Sequence, residues 1–280
     1  MEDANAVTGR AWRLVTPLTG GYQNGAYKIE DDDGQYVLKW FPRSDWAERV
    51  TKAGRCVEIA RAAGYPTPAW IAQGTTHGGL PFHVQEFVIG EYAAMDDSIV
   101  DEILRVNALQ CRVTIDGPAD WTWYLEDVVF NNHAGNQTKL LAAGDTSAEL
   151  VRQALALVNA FDRPTLPRHE MVHGDFSLEN LLVRDGRIAA VIDIEAIGNG
   201  CATFDLVRPA HGEYLWGDRL RAPRLMQEAV RRDGPAVFAM AVVTNVFDVL
   251  TFGLANWPEG IQGAAGDSLA WIADCRELLA

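Results

Sequence analysis

The spacing of apolar residues changes near position 90, and that change limits the chain to folds that join a small strand-rich part to a larger helical one. Before it, Arg13 to Thr19, Gly25 to Glu30 and Gln35 to Phe41 are short runs rich in β-branched and aromatic residues. Asp31-Asp32-Asp33-Gly34 supplies a hairpin turn between the second and third. Asp45 to Ala63 is helical instead, with Val50, Ala53, Val57 and Ala60 on one face and a stop at Gly64 and Pro66. Two more strands, Trp70 to Gln73 and Phe82 to Val88, join through His77-Gly78-Gly79.

After Gly90 the pattern is helical at Asp97 to Arg112, Ser147 to Phe161, Phe204 to Leu215, Arg219 to Asp233, Pro235 to Leu254 and Gln262 to Leu279. Only Asn180 to Val183 and Ile188 to Ile192 read as strands there. The expectation is an α+β chain in two lobes, residues 1–90 and 91–280, with a cleft between them and Glu86 to Glu91 as the crossing.

Composition narrows the partners. With 48% apolar and 22% charged residues among 280, disordered and fibrous classes are excluded. A net charge of −14 repels phosphate backbones, so no nucleic-acid partner is expected; it also concentrates cations, although a solvated acidic surface is the plainer account. Cys56, Cys111, Cys201 and Cys275 lie far apart, as buried thiols of a reducing compartment do. The stretch Val237 to Leu254 is interrupted by Thr244, Asn245 and Asp248 and reads as a buried helix rather than a membrane span. A soluble cytoplasmic monomer or dimer follows as the expectation.

The chemistry concentrates in Met171-Val172-His173-Gly174-Asp175-Phe176-Ser177-Leu178-Glu179-Asn180-Leu181-Leu182 and in Val191-Ile192-Asp193-Ile194-Glu195. Apolar anchors flank Asp175, Asn180 and Asp193 and hold them rigidly. Phosphoryl transfer needs such rigidity, because its catalysis is mostly positioning and charge stabilisation. An Asp orients the attacking hydroxyl and accepts its proton, while an Asn and a second Asp offer the hard oxygen donors that Mg²⁺ prefers. Lys39, mid-strand between apolar neighbours, is costly there unless it meets an anion, and nucleotide α/β-phosphates supply one. Gly20-Gly21-Tyr22-Gln23-Asn24-Gly25 joins two strands; Gly21 and Asn24 are its candidate phosphate contacts, and an ordinary hairpin loop is the alternative.

These residues resemble the aminoglycoside phosphotransferase family, whose catalytic loop reads His-Gly-Asp with an Asn five residues later. Its second signature, Ile-Asp followed by Gly and then Asp-Leu, is present as Ile192-Asp193, Gly200 and Asp205-Leu206. The resemblance covers nearly the whole chain. It implies a bilobal protein-kinase-like fold, with a small antiparallel sheet plus one helix as the N-lobe and a larger, mostly helical C-lobe. It further implies ATP (or GTP) and Mg²⁺ as cofactors, Asp175 as base, Asn180 and Asp193 as metal ligands, and Asp205 as a brace of the catalytic loop. A helix N-cap is the alternative for Asp205. Backbone groups of Glu86 and Val88 then read the base, and His173 supports the loop. The family pairs its strand lysine with a Glu on the N-lobe helix; this chain has Ala53-Gly54 in that neighbourhood and offers Glu58, or Glu48, instead.

Two other readings compete. His169-Glu170-Met171-Val172-His173 matches H-E-x-x-H, the helix motif of zinc hydrolases, and Glu195 is a possible third ligand. Pro164 and Pro167 before it and Gly174 after it leave little room for such a helix. A nucleotide-binding scaffold without activity is the other, although the base and both metal ligands are in place. The family phosphorylates aminoglycosides, macrolides, basic cyclic peptides such as viomycin and capreomycin, choline, homoserine and fructosamines. The acidic balance favours a small cationic acceptor, with an antibiotic first and a metabolic alcohol second. Candidate contacts are Glu179, Glu195, Glu213 and Asp248, with Trp121, Trp123, Trp216 or Trp257 as cation-binding faces; solvated carboxylates and core tryptophans are the alternative.

Overall fold

The computed structural model describes residues 1–18 and 25–280; the Gly-rich segment with Gly21 and Asn24 lies outside the described residues. A short helix α1 (Glu2–Thr8) precedes three strands, β1 (Arg13–Pro17), β2 (Ala26–Asp31) and β3 (Gly34–Trp40). The turn between β2 and β3 closes because Asp31 Oδ1 accepts the N–H of Asp33 at 2.9 Å and of Gly34 at 3.2 Å, a side chain standing in for a backbone acceptor. Helix α2 (Ala47–Ala62) follows, then β4 (Trp70–Thr75) and β5 (Pro81–Glu86). The five strands form one antiparallel sheet in the order β1-β2-β3-β5-β4.

The two faces of this sheet are covered differently. On one, Ala4, Trp12, Ile29, Tyr36, Leu38, Phe82 and Val84 form a small core of their own, with Trp12 edge-on to Tyr36 at 6.1 Å. Sequence reasoning gave α1 no role, yet it supplies Ala4 to this core. On the other lies α2, whose buried Ala53, Cys56, Val57 and Ala60 belong to the main core of the helical part. The segment after α2 is tied the same way: Val191 N–H donates to Pro66 O at 2.6 Å. The main core therefore crosses position 90.

The second part starts with β6 (Glu91–Tyr92) and α3 (Asp97–Gln110), whose N-cap Asp96 accepts from Ile99 N–H at 2.8 Å. Next come β7 (Ala119–Asp120), α4 (Trp121–Phe130), α5 (Asn136–Ala142) and α6 (Asp145–Val158). Then β8 (Glu170–Val172), β9 (Leu181–Arg184), β10 (Arg187–Val191) and β11 (Gly198–Gly200) form two small sheets, ordered β10-β9-β6 and β7-β11-β8. Helices α7 (Thr203–Trp216), α8 (Ala222–Asn256) and α9 (Ile261–Leu279) complete the chain. Gly234, at φ 83°, breaks α8 where the sequence ends one helix and begins the next. By length and composition α8 is able to cross a membrane, but most of its apolar stretch is buried against α7 and its neighbours. The architecture is the expected α+β one: an antiparallel sheet with its helix, then a larger helical part.

Sequence reasoning left α4 unassigned. Its run Trp-Thr-Trp-Tyr-Leu-Glu-Asp-Val-Val-Phe is aromatic and β-branched, which lowers helix propensity, and the cap Asp120, accepting from Trp123 N–H at 2.9 Å, with burial of Leu125, Val128 and Val129, overrides that preference. At Gly198 the backbones meet: a Cβ there would lie 2.2 Å from Ala119 O. Gly198→Ala is expected to cost about 1–3 kcal/mol, the scale of overpacking. Gly263→Ala, in α9 with nothing within 4 Å of an added Cβ, is expected to be neutral or stabilising. Thermal unfolding of both variants beside the wild type checks this.

Candidate active site

The centre of the molecule is a loop held from below by a buried carboxylate. Asp205, in the first turn of α7 and fully buried, accepts His173 N–H at 2.6 Å and Gly174 N–H at 2.9 Å, and Gln110 Nε2 donates to it at 2.6 Å. Burial pushes its pKa up against the pull of these donors. The arrangement matches a brace and not a helix N-cap. Gly174 is required here: at φ 87° a Cβ would lie 1.9 Å from Trp121 Cζ2. Trp121, one of the candidate cation-binding faces, is thus packed beneath the loop, stacked on Phe204 and donating to Ala196 O at 3.0 Å.

His173 ties the two motif segments together. Its Nε2 donates to Ile192 O at 2.9 Å, and its Nδ1 accepts Asp175 N–H at 3.2 Å, which assigns the tautomer. Both ring nitrogens are therefore used. His169 is exposed, and Glu170 to Val172 form the strand β8, so the two histidines stand at opposite ends of a strand. The zinc reading is corrected on this ground, since H-E-x-x-H needs one helical face. Glu170 lies instead near Cys201 and Asp233, but Arg232 donates to Asp233 Oδ2 at 3.2 Å and already supplies the positive charge there.

Asp175 and Asn180 meet directly. Asn180 Nδ2 donates to Asp175 O at 2.8 Å and to Asp175 Oδ2 at 3.1 Å, which leaves the Asn180 amide oxygen to face elsewhere. Asp193 follows the hairpin of β9 and β10 in the left-handed region at φ 59°, which an Asp tolerates better than most side chains. It reaches across to the sheet, where Lys39 Nζ lies 2.8 Å from Asp193 Oδ1 and 2.7 Å from Glu195 Oε1. Burial opposes the Lys39 charge, but the two carboxylates outweigh it and raise the lysine pKa above its ordinary value.

Glu195, anticipated as an acceptor contact, thus turns to the lysine instead. Arg49 holds its carbonyl at 3.2 Å, and His83 stands behind it at 3.6 Å. Burial, with Lys39 alongside, lowers the His83 pKa to about 3, so this ring is neutral; it stacks on Trp70 at 3.8 Å. Glu58 and Glu48, the candidate partners on α2, are both exposed, and Gly54 of α2 faces Gln73 and Trp70.

The remaining candidates divide. Glu179 is exposed beside Asn180. Asp248, half-buried on α8, accepts the Tyr124 hydroxyl at 2.8 Å, and burial raises its pKa to about 6. Glu213 is buried near the far end of α7 beside Asp218, and the exposed Trp216 lies there too. Trp257 packs over Gly253, while Trp123 is exposed next to His133. At the crossing, Glu86 N–H donates to Ala69 O at 2.9 Å and Phe87 N–H to Gln35 O at 3.2 Å. A cavity of about 550 Å³ lies behind this crossing, against Tyr65, Thr67, Glu86 and Arg184, away from the Lys39–Asp193 contact.

One residue escaped sequence reasoning altogether: Arg208 Nη2 lies 2.6 Å from Asp175 Oδ1. Its signal was available, since Arg208 stands one helical turn after Asp205 and shares its face.

The chain matches the family model described as APH, phosphotransferase enzyme family, over residues 14–241. It belongs to that family. It is accordingly a phosphotransferase with a protein-kinase-like fold. Among solved structures, it is similar to the apo form of a thermostable mutant of aminoglycoside phosphotransferase APH(4)-Ia, with TM-score 0.72, 18% identity, and 98% and 99% of the two chains covered. The ternary complex of such a mutant with AMP-PNP and hygromycin B gives TM-score 0.73 at 17% identity, covering 98% of each. The GDP complex of aminoglycoside 2'-phosphotransferase-IIIa gives 0.66 at 14%, covering 99% of this chain and 97% of the other. No curated protein sequence matches.

Two outcomes follow from this phosphotransferase's site. Glu195→Gln removes one of two partners from a buried lysine and is expected to lower stability by about 1–3 kcal/mol, less than the loss of a whole buried pair because Asp193 remains. Glu58→Gln is expected to leave the unfolding midpoint unchanged; thermal unfolding at neutral pH compares them. Asp248 has a folded pKa above its unfolded value of 3.8, so its contribution is fully present below that value and is lost as pH rises through about 6. Asp248→Asn keeps an acceptor for Tyr124 and is expected to be more stable than wild type at pH 8, the difference vanishing towards pH 4; melting temperatures across pH 4–8 measure it.

Proposed function

We propose that the enzyme transfers the γ-phosphate of ATP or GTP to a hydroxyl of a small cationic molecule, an aminoglycoside or a basic cyclic peptide antibiotic, and so confers resistance in the cytoplasm. The observation that carries the transfer is Lys39 meeting Asp193 across the cleft while Asp175 and Asn180 share the opposing loop. Lys39, released from Asp193, binds the phosphates and keeps Glu195 as its partner. The Glu86 carbonyl and the Val88 N–H read the base, since the Glu86 and Phe87 donors are already committed. Gly21 and Asn24 cover the phosphates. Asp175 orients the acceptor hydroxyl and takes its proton, and the Asp205 and His173 contacts fix the loop while it does so.

The donors Asn180 and Asp193 fit Mg²⁺. Both are hard oxygens, the Asn180 nitrogen is already bound to Asp175, and the Asp193 side chain is 46% exposed towards the cleft. Bound there, the ion would supply neutralising charge to the phosphates.

The cationic acceptor is supported by the net charge of −14, by Glu179 and Asp248 on the loop side, and by the hygromycin B carried by a protein of the same fold. Glu213 remains a candidate contact only for an acceptor that extends along α7. A coupled assay of ATP consumption with aminoglycosides, capreomycin, viomycin, macrolides, choline and homoserine tests the assignment. Turnover with a cationic antibiotic is expected; turnover confined to choline or homoserine overturns the antibiotic reading in favour of a metabolic alcohol. Asp175→Ala is expected to reduce kcat by about 10²–10⁴-fold while sparing nucleotide binding, and a near-native rate removes Asp175 as the base.

A further inference from the structure

Arg208 belongs to none of the motifs, yet it makes an ion pair with the residue on which transfer turns. Helix α7 delivers two side chains from one face: Asp205, which fixes the loop backbone, and Arg208, one turn later, which reaches the Asp175 side chain. The Asp175 side chain is 42% exposed and Arg208 is 26% exposed. Oδ1 of Asp175 is nonetheless buried and accepts no hydrogen bond among the described residues, so the ion pair with the guanidinium is what offsets its burial. The two oxygens face different groups: Arg208 Nη2 lies 2.6 Å from Oδ1 as an ion-pair contact, and Asn180 Nδ2 donates to Oδ2 at 3.1 Å. The second contact is the weaker one. Asn180 keeps its shorter bond to Asp175 O at 2.8 Å when a hydroxyl approaches Oδ2.

We propose that Arg208 is the positioning residue of the transfer, pairing with Oδ1 of Asp175 so that Oδ2 faces the acceptor. The proposal rests on the reading of Asp175 as base. In the step itself, the hydroxyl oxygen bonds to the γ-phosphorus as the bond to the β,γ-bridging oxygen breaks. The hydroxyl proton passes to Asp175 Oδ2, and the electron pair leaves with the nucleoside diphosphate. Arg208 neither gives nor takes a proton.

The test uses full-length enzyme with Mg-ATP, first with water as acceptor and then with each antibiotic that the wild type phosphorylates. Arg208→Ala is expected to lower kcat roughly 10- to 100-fold, the scale of a misplaced reacting group, with the KM for ATP within about twofold of wild type. Arg208→Lys, and added guanidinium ion at low millimolar concentration with the Ala variant, are expected to restore part of the rate. A kcat within about twofold of wild type overturns the proposal. So does a loss that neither restores and that comes with a raised KM for ATP and a lowered melting temperature, which marks a structural role. If the Ala variant does not fold, Arg208→Gln and Arg208→Lys carry the same comparison. Wild-type turnover with an unresponsive Arg208→Ala sinks Arg208 alone. Absence of any ATP turnover in the wild type, or an Asp175→Ala variant as fast as wild type, sinks the reading of Asp175 and this proposal with it.

Discussion

A lysine with only a tenth of its side chain exposed stays charged because two carboxylates from the second part of the chain close on it. Lys39 belongs to β3, while Asp193 and Glu195 follow β10, so this contact spans 154 residues and joins the sheet to the helical part. Removing a lone ammonium from water costs several kcal/mol, and good geometry with both partners is what offsets it. The sheet cannot shift against the loop without exposing that cost. Arg49 and the neutral His83 confine Glu195 further, so the pair is supported from α2 and β5 as well as from its own loop. In this chain the carboxylate facing the lysine comes from the loop, not from α2, whose Gly54 instead allows the helix to press against Trp70 and Gln73.

The loop that carries Asp175 depends on a second buried charge. Asp205 takes two backbone N–H groups from His173 and Gly174, and no residue but glycine fits at 174, where Trp121 lies against the backbone. That packing explains why α4 sits where it does. Its first residue fills the space under the loop, and its N-cap Asp120 fixes the helix start in a strand-like stretch beside β11. One element thus places a tryptophan, and α7 places a carboxylate and a guanidinium, against the three residues His173 to Asp175.

What was legible in the sequence is what chemistry or period dictates. The Asp175, Asn180 and Asp193 spacing was readable because the residue types and intervals are those of the motifs it resembles, and the strands and long helices because their burial repeats at a fixed period. Helices α4 and α5 were not, since aromatic and β-branched residues in one, and a run of only seven residues in the other, give no clear helical signal. The partner of Lys39 was out of reach for a different reason. Glu48, Glu58 and Glu195 are equivalent by composition, and only the docking of the loop on the sheet distinguishes them. Arg208 was hidden by the same gap between spacing along a helix and what the helix faces.

For the acceptor proposed above, the charge distribution around Asp175 says more than the total charge does. A net charge of −14 raises the local concentration of cations over the whole surface but says nothing about where they dock. At Asp175 the nearest charged neighbour among the described residues is a guanidinium. Asp248 is half-buried, with a pKa of about 6, so near neutral pH its charge adjusts within reach of an approaching amine. An amine docking there pulls that carboxylate towards its ionised form, and the energy gained by the pair is reduced by the cost of ionising a partly buried group. On the reading proposed above, a polycation therefore gains less at Asp248 than its total charge suggests.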